Sequence, residues 1–521
     1  MSLRCNLDKR LLRISPSDYF TCRDSFEHVH VMGGTGMGKT TGPGKALASA
    51  YLRAGYGFLV HTAKPEDIPL WIGYAANNGR ANSVILLDQT RHLNFIDYEI
   101  RKQGMEGLGP VVEHVMQIVQ DADQAMGAGA KESDGFWLQA TRKCIAHCVP
   151  LLFSGWGTVS IRSIVDFVTQ APTDGKQYAE PGFAEHNFAA KTLHQAFEAP
   201  RIPIPSAERD RLAEYWVRQY PAIPSKTLGN IVISLSAKLD SFLHGRLAEM
   251  FCTTTDFVPE MAFAGGVLVS GMPTLTFNED GVRAQKLLKS VFQRAALARN
   301  RLAPHLRERP VCLWADESQN VVTDKDHEFL STSRASRVAV VYLTQSLPTY
   351  YAQLGPGKQD AAEALVGKFG TQIFCANGDA KTNKYASELI GRRIFRRANE
   401  GRSKGWNTSQ GMNTGANSGY SSNESSGGSF GGGYQSSYSS GNNSSTGSAW
   451  GDNIGRGQNE GWNSGSSEQM DFILEPRFFA ERLRTGGPMH NNRVTCVWVK
   501  AGARFADGDG GNFLMPTFRQ R

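Results

Sequence analysis

A glycine-rich segment near the start of the sequence has the residue types and the spacing that hold the phosphates of a nucleotide. The pattern G-x-x-x-x-G-K-[ST] is matched by Gly33-Gly34-Thr35-Gly36-Met37-Gly38-Lys39-Thr40, which Thr41 follows. In such a segment backbone N–H groups surround the phosphates, the lysine reaches the β- and γ-phosphates, and the hydroxyl after it binds Mg²⁺. We therefore predict that residues 33–41 bind ATP, with Lys39 also contributing to catalysis and Thr40 binding the metal.

The elements around this segment support the prediction. A short apolar strand over residues 28–32 comes before the glycines, and a helix from about Thr40 to Arg53 comes after them. A helix that begins at the phosphates adds the positive end of its dipole to the site. Strand, glycine-rich turn and helix therefore occur in the order that a phosphate-binding loop requires.

Two carboxylates follow an apolar run far along the chain. Val311–Ala315 is predicted to be a buried strand, and Asp316 and Glu317 come directly after it. In a site for Mg²⁺ and ATP one acid holds the metal, directly or through water, and the other activates the attacking water as general base. The alternative, two acids that cap the next helix, is disfavoured beside the phosphate-binding segment. We predict that Asp316 binds metal and that Glu317 is catalytic.

Two further residues are candidates for catalysis. Gln345 follows the next predicted strand, where a polar side chain lies near the ligand crevice of an open α/β sheet and can sense the γ-phosphate; a loop-capping amide is the alternative. Arg334 and Arg337 come before that strand. An arginine from a neighbouring subunit would stabilise the transferring phosphate. We favour Arg334 over Arg337 for this role, with plain surface charge as an equal alternative.

Strand-like runs and helical stretches alternate on both sides of a long helical region, which predicts an α/β fold with a mainly parallel sheet. Between about residues 106 and 250 apolar residues recur with the helical period, as in Val111, Val115 and Val119, which indicates an inserted all-α domain. Strands are predicted at 28–32, 57–61, 83–87, 267–270, 311–315, 338–343, 371–376 and 494–499. The predicted division is 1–100 and 256–397 for the nucleotide-binding domain, 101–255 for the all-α domain, 398–469 for an insertion and 470–521 for a return to the first domain.

The insertion at residues 398–469 is rich in Gly, Ser and Asn, with sparse Trp and Tyr. Such a segment buries too little apolar surface to offset its chain entropy, so we predict that it is disordered or a long flexible loop. Its aromatic side chains could stack on single-stranded bases. A flexible spacer is the favoured interpretation.

Composition limits the function classes only weakly. The net charge of +7 and the pI of about 8.9 are compatible with a nucleic-acid partner without requiring one. The eight cysteines are scattered, and Cys144 and Cys148 fit core packing better than a metal pair. No apolar run of about 18 residues and no signal-like N-terminus occurs. We expect a cytoplasmic protein, or one peripheral at the inner face of the cell membrane.

Several separate segments resemble the type IV coupling proteins of the TraD/TraG kind, within the FtsK–HerA superfamily of P-loop ring ATPases. The nucleotide motifs resemble those of this group, and more specific likenesses follow at His61–Asp67, Leu93–Asp97, Gly135–Ala140, Arg334–Ser346 and Phe374–Gly391. The likeness covers roughly residues 27–395 and 470–500. It implies a RecA-like P-loop nucleotide-binding domain with an inserted all-α domain. The stretch His61–Lys64 departs from the family pattern, which leaves the role of Lys64 open.

The resemblance also implies function. Family members form a hexameric ring in which ATP hydrolysis drives DNA, single-stranded or linked to a relaxase, toward a type IV secretion channel. They usually carry N-terminal transmembrane helices, whereas here the phosphate-binding segment begins about thirty residues from Met1. We expect either a separate membrane component of the secretion system as anchor or a soluble motor.

The leading hypothesis is an ATP-driven DNA translocase that couples conjugative or mobile-element DNA to the channel. A soluble ring translocase or helicase without a secretion partner is one alternative. A nucleotide-gated adaptor that recruits protein substrates is another, and Glu317 weighs against it because binding alone needs no general base.

Overall fold

The computed structural model describes residues 6–411 and 453–520, apart from residues 89, 105–107, 126–131, 175, 178–181, 324 and 509. The chain divides into two compact units. The first extends to Thr382 and resumes at Phe479, and the second is Asn383–Phe478. These two units do not test the predicted division into five segments, which stays a prediction.

A nine-stranded sheet forms the centre of the first unit. Its strands are β1 (Val29–Met32), β2 (Gly57–His61), β3 (Val84–Leu87), β4 (Val267–Ser270), β5 (Val311–Ala315), β6 (Val338–Thr344), β7 (Thr371–Phe374), β8 (Val497–Lys500) and β9 (Phe513–Leu514). Their order across the sheet is β9-β8-β7-β1-β6-β5-β2-β4-β3. Strands β1 to β7 pair in parallel, while β8 is antiparallel to both β7 and β9. The predicted α/β fold with a mainly parallel sheet is confirmed.

The central strands are apolar because both faces of the sheet are covered. Every residue of β5 and β6 is buried, as expected for parallel strands between helices. The carboxyl ends of β1, β5 and β6 therefore meet at one edge of the sheet, where open α/β sheets bind ligands. One strand, β6, separates β1 from β5.

The last predicted strand, at 494–499, needs a correction. Only Val497–Lys500 joins the sheet, and Arg493–Thr495 pairs instead with Thr517–Arg519 in a separate antiparallel pair. The backbone N–H of Cys496 donates to Pro516 O at 3.1 Å, so the chain changes its hydrogen-bonding partner at this residue. One continuous, mainly apolar run of the sequence thus contains two strands.

Helices follow most strands of the sheet, and a long series of helices forms the chain between β3 and β4. Those that follow sheet strands are Lys45–Arg53, Asp67–Asn77, Thr274–Ala298, Asp326–Thr332, Leu347–Leu354, Gln359–Val366 and Ala380–Ile390, with Pro476–Glu481 before β8. Those between β3 and β4 include Phe95–Gln103, Leu108–Ala125, Glu132–Trp156, Ile161–Gln170, Phe188–Glu198, Ser206–Ala213, Ser225–Leu239 and Gly245–Phe251. Four-residue helices occur at Cys22–Ser25, Phe183–His186, Glu260–Phe263 and Pro304–Arg307, and two short strands, Arg10–Arg13 and Tyr19–Thr21, pair near the start.

Two sequence features fall in the helical region. Cys144 and Cys148 are buried, and the described residues contain no group of three or more His, Cys, Asp or Glu that could hold a metal. Taken singly, none of the described helices has both the length and the apolar character needed to cross a membrane; Trp137–Trp156 and Ile161–Gln170 meet that test only together, as a pair bent by 109°.

The second unit corrects the expectation of disorder for residues 398–411 and 453–469. Arg392–Gly411 pairs with Asn453–Phe472 as a long antiparallel ribbon, in register from Arg392 and Phe472 to Gly411 and Asn453. Backbone hydrogen bonds between antiparallel strands do not require apolar side chains, so a polar composition does not prevent this pairing. The centre of the predicted disordered segment, 412–452, lies outside the described residues.

Candidate nucleotide-binding site

The phosphate-binding segment forms the turn between β1 and the helix Lys45–Arg53. Gly38 has a φ of +84°, and a Cβ there would lie 2.5 Å from Val494 Cγ2, so both backbone and space require glycine. Gly33 ends the strand: its N–H donates to Thr344 O at 3.3 Å. The segment is therefore held between the end of β6 on one side and Val494 on the other.

The helix starts later than the sequence indicates. Residues Thr40–Gly44 form a wider turn, and the α-helix begins at Lys45 rather than at Thr40. Pro43 has no N–H to donate to Lys39 O, and the N–H of Gly44 takes that carbonyl at 2.9 Å. Without an N–H from Pro43, this hydrogen bond spans five residues instead of the four of an α-helix.

The two distant motifs meet through a direct hydrogen bond. Thr40 Oγ1 donates to Asp316 Oδ2 at 2.7 Å, although 276 residues separate them. The other carboxylate oxygen, Oδ1, accepts the N–H of Glu317 at 2.9 Å. A hydroxyl and a carboxylate oxygen side by side are the hard oxygen ligands that Mg²⁺ prefers. The residues present therefore fit a magnesium ion between Thr40 and Asp316.

Burial raises the pKa of the Asp316 carboxyl to about 6. The nearby carboxylates of Asp67 and Glu317 push it further upward, whereas the hydrogen bond from Thr40 and the Lys39 amine act in the opposite direction. A cation beside this carboxyl would relieve both the desolvation and the repulsion. The electrostatics of Asp316 therefore agree with the donor geometry in favouring a bound cation.

Asparagine at position 316 should stabilise the nucleotide-free protein near pH 8 and leave its stability nearly unchanged near pH 3. The pKa of this carboxyl rises from 3.8 to about 6 on folding, so the folded state holds its proton more tightly. The cost of burying the charge is absent below the lower value and fully present above the higher one. The amide removes that cost, on the order of 2–3 kcal/mol. Urea unfolding measures it, and equal effects at both pH values would contradict the assignment.

Glu317 lies in the left-handed region, with φ 47° and ψ 50°. Two amide side chains donate to its carboxylate: Gln319 Nε2 at 2.9 Å, and Gln345 Nε2 at 3.3 Å from each oxygen. Gln319 also accepts from Thr344 Oγ1 at 2.8 Å. The sequence predicts contact between Gln345 and the γ-phosphate. In the structure the Gln345 side chain contacts the candidate general base, and its contact with the γ-phosphate stays a prediction.

A cavity of about 390 Å³ contains most of the predicted residues. Its lining is formed by Gly34, Thr35, Gly36, Met37, Gly38, Lys39, Thr40, Thr41, Asp316 and Glu317, together with Ala63, Lys64, Asp67 and Gln520. Lys39 is buried as a residue, and its amine donates to Gly34 O at 3.4 Å. Sequence reasoning missed Asp67, Gln319 and Gln520. Asp67 lies in a stretch singled out for its resemblance, but no motif pointed to the other two.

Arg334 lies outside the nucleotide cavity. It contributes to a separate cavity of about 480 Å³, with Arg23 and Arg337. Its guanidinium is 3.6 Å from Glu27, and the side chain is 58% exposed. Arg334 is absent from the lining of the cavity that holds Lys39 and Asp316. Any role for Arg334 in phosphate chemistry would therefore have to be at the site of another subunit.

Comparison with known proteins gives one family and one fold. Residues 310–429, which include Asp316, Glu317, Arg334 and Gln345, match the family model described as the TraM recognition site of TraD and TraG. This confirms the resemblance to coupling proteins over that segment. Comparison with curated protein sequences gives no match.

Two solved structures share the fold. The bacterial conjugative coupling protein TrwBdeltaN70, unbound, matches with a TM-score of 0.53 and 14% identity, over 100% of this chain and 90% of that one. Plasmid coupling protein TrwB in complex with the ATP analogue ADPNP matches with a TM-score of 0.50 and 15% identity, over 99% and 90%. The RecA-like P-loop fold with its helical region is thereby confirmed.

Proposed function

We propose that this chain is an ATP-hydrolysing DNA translocase that couples conjugative or mobile-element DNA to a type IV secretion channel. The hydrogen bond between Thr40 and Asp316 carries the proposal, because it joins the phosphate-binding loop to the acid pair in one cavity. The match of residues 310–429 to a coupling-protein family supports the assignment of the motor to DNA transfer. The TrwB structure with ADPNP supports ATP as the nucleotide.

The residues of the two motifs have distinct tasks in this proposal. Backbone N–H groups of residues 34–41 hold the phosphates, and the Lys39 amine pairs with the β- and γ-phosphates. Bound Mg²⁺, held by Thr40 and Asp316, would neutralise charge on the phosphate oxygens. Glu317 accepts a proton from the attacking water. The amides of Gln319 and Gln345 orient the Glu317 carboxylate until the nucleotide and water arrive.

DNA is the proposed substrate, and single-stranded DNA provides the test. The ATPase rate of the purified protein, measured with and without single-stranded DNA, should rise when DNA is added. Double-stranded DNA of the same length serves as the comparison. Normal ATP binding with no stimulation by either DNA would contradict a translocase and leave a nucleotide-gated adaptor for protein substrates.

A ring of six subunits at the inner face of the membrane completes the proposal, with Arg334 supplied to the site of a neighbour. Alanine at position 334 should then inactivate wild-type subunits when the two are mixed. An arginine supplied by the neighbouring subunit contributes on the order of 10³-fold or more to phosphoryl transfer. The ATPase rate should fall faster than the fraction of wild-type subunits as the variant is added.

Arg337→Ala is the matched control for this experiment. Arg337 lies on the same loop, but its guanidinium donates to Glu308 O at 2.9 Å, within its own chain. Mixtures with this variant should lose activity only in proportion to the fraction added. A proportional loss with Arg334→Ala as well would exclude Arg334 as a residue shared between subunits.

A further inference from the structure

Gln520 reaches the phosphate-binding loop from the far end of the chain, 479 residues from the loop residue that it contacts. Its Nε2 donates to Thr41 Oγ1 at 2.7 Å, and its Oε1 accepts the N–H of Gly487 at 2.8 Å. The backbone is also fixed: its N–H donates to Asn492 O at 2.9 Å, and its C=O accepts Lys45 Nζ at 3.0 Å. Four hydrogen bonds therefore fix the side chain and the backbone of Gln520.

The turn at Gly486 and Gly487 is shaped around this amide. Gly486 has a φ of +87°, and a Cβ there would collide with the side-chain amide of Gln520. Glycine lets the turn approach closely enough for the N–H of Gly487 to donate to Gln520 Oε1. Because a backbone N–H can only donate, Oε1 must face Gly487, and the NH₂ group must face Thr41. The orientation of the amide follows from the chemistry of its partners.

The same part of the chain supports the loop at a second point. Val494 packs against Gly38 and Gly42, where an added Cβ would lie 2.5 Å and 2.9 Å from the valine side chain. The stretch from Gly486 to Gln520 thus contacts the loop at its glycines through an apolar side chain and at Thr41 through an amide. The apolar contact gives the loop its position, and the amide acts on a side-chain hydroxyl that lines the cavity.

We propose that Gln520 is a positioning residue of the nucleotide site, which holds the Thr41 hydroxyl ready to donate to a phosphate oxygen of ATP. A hydroxyl has one proton to donate and two lone pairs that accept. Since the amide nitrogen of Gln520 uses one lone pair of Thr41 Oγ1, the hydroxyl proton stays free for the cavity. Gln520 thereby converts Thr41 into an oriented donor. The inference rests on the proposed binding of ATP, but not on DNA translocation.

A double-mutant cycle tests the proposal. The dissociation constant for Mg²⁺–ATP is measured for wild type, Gln520→Ala, Thr41→Val and the double variant. Each single change should weaken binding about threefold to tenfold, the range of one hydrogen bond. The double variant should bind no more weakly than Thr41→Val, because residues that act through one contact are not additive. Additive losses would overturn the proposal.

Gln520→Glu separates positioning from stability. The carboxylate can still accept the N–H of Gly487, but it cannot donate to Thr41 and would instead accept a hydrogen bond from the Thr41 hydroxyl. It should therefore weaken ATP binding more than Gln520→Ala does, with an unchanged melting temperature in the absence of nucleotide. Binding like that of wild type would overturn the proposal.

Thr495→Val is the matched control. Thr495 shares a hydrogen bond of 3.0 Å with Thr517 in the same part of the chain but does not line the cavity. This variant should bind ATP as wild type does. If the wild-type protein itself fails to bind ATP, the proposed function and this inference both fall; if it binds and Thr495→Val matches Gln520→Ala, only the positioning role falls.

Discussion

Glutamine at position 317 should leave ATP binding intact and slow hydrolysis by about 10²- to 10⁴-fold, the contribution of a positioned general base. The amide keeps the size and one oxygen of the original side chain, so the contacts from Gln319 and Gln345 can persist in part. It cannot accept a proton from water. The expected result is a protein that binds ATP with unchanged affinity and releases almost no phosphate. The measurement is single-turnover hydrolysis beside equilibrium binding.

The control for this variant is Glu260→Gln. Glu260 accepts hydrogen bonds from Tyr98 and Lys102 at 2.9 Å and 2.7 Å and lies outside the lining of the nucleotide cavity. It should hydrolyse ATP at the wild-type rate. Turnover that survives in Glu317→Gln would show that the base is another residue.

Methionine at position 39 should abolish ATP binding at concentrations that saturate the wild type. Lys39 is 6% exposed as a residue and lines the cavity together with the glycine-rich loop. Hydrogen bonds between charged groups contribute about 1.5–3 kcal/mol each, and contacts to two phosphates give a loss on the order of 10²- to 10⁴-fold in affinity. Methionine keeps the apolar stem of the side chain and removes only its charged end.

Thermal unfolding with and without Mg²⁺–ATP measures this effect and includes its own control. ATP at about one hundred times its dissociation constant stabilises a protein by about 2.7 kcal/mol. The wild type should show this stabilisation, and Lys39→Met should not. The melting temperature without nucleotide should stay close to that of wild type. A variant that is stabilised by ATP as much as the wild type would exclude Lys39 from phosphate binding.

The core of the site could be predicted from sequence because each half has a strong local pattern. Glycines that need special backbone geometry, a lysine and two threonines lie within one turn, and two acids follow an apolar strand. Parallel strands bring their carboxyl ends to one edge, so two such patterns at strand ends are expected to meet. In the structure the two patterns meet through the hydrogen bond between Thr40 and Asp316.

The supporting amides could not be predicted in the same way. Gln520 lies in no motif, and its contact with Thr41 depends on the turn at Gly486 and on the path of the chain after β9. Gln319 is close to Glu317 in sequence, yet its role depends on the left-handed backbone of Glu317, which nothing in the sequence reveals. Single polar residues acquire such roles through tertiary contacts, and these contacts produce no periodic pattern in the sequence.

Backbone pairing explains why residues 398–411 and 453–469 form strands although their composition predicts disorder. A Gly, Ser and Asn composition predicts disorder because it offers little apolar surface. The ribbon between Arg392–Gly411 and Asn453–Phe472 uses backbone hydrogen bonds, whose pattern is independent of side-chain type. Composition therefore indicates where a core cannot form, but it does not exclude an antiparallel pair.

The most direct test of the account is a crystal structure of Glu317→Gln with ATP and Mg²⁺. We expect the triphosphate in the cavity after β1, with its terminal phosphates beside Lys39 and the metal bound by the Thr40 hydroxyl and the Asp316 carboxylate. A nucleotide bound elsewhere, or a metal coordinated without either of these two residues, would contradict it.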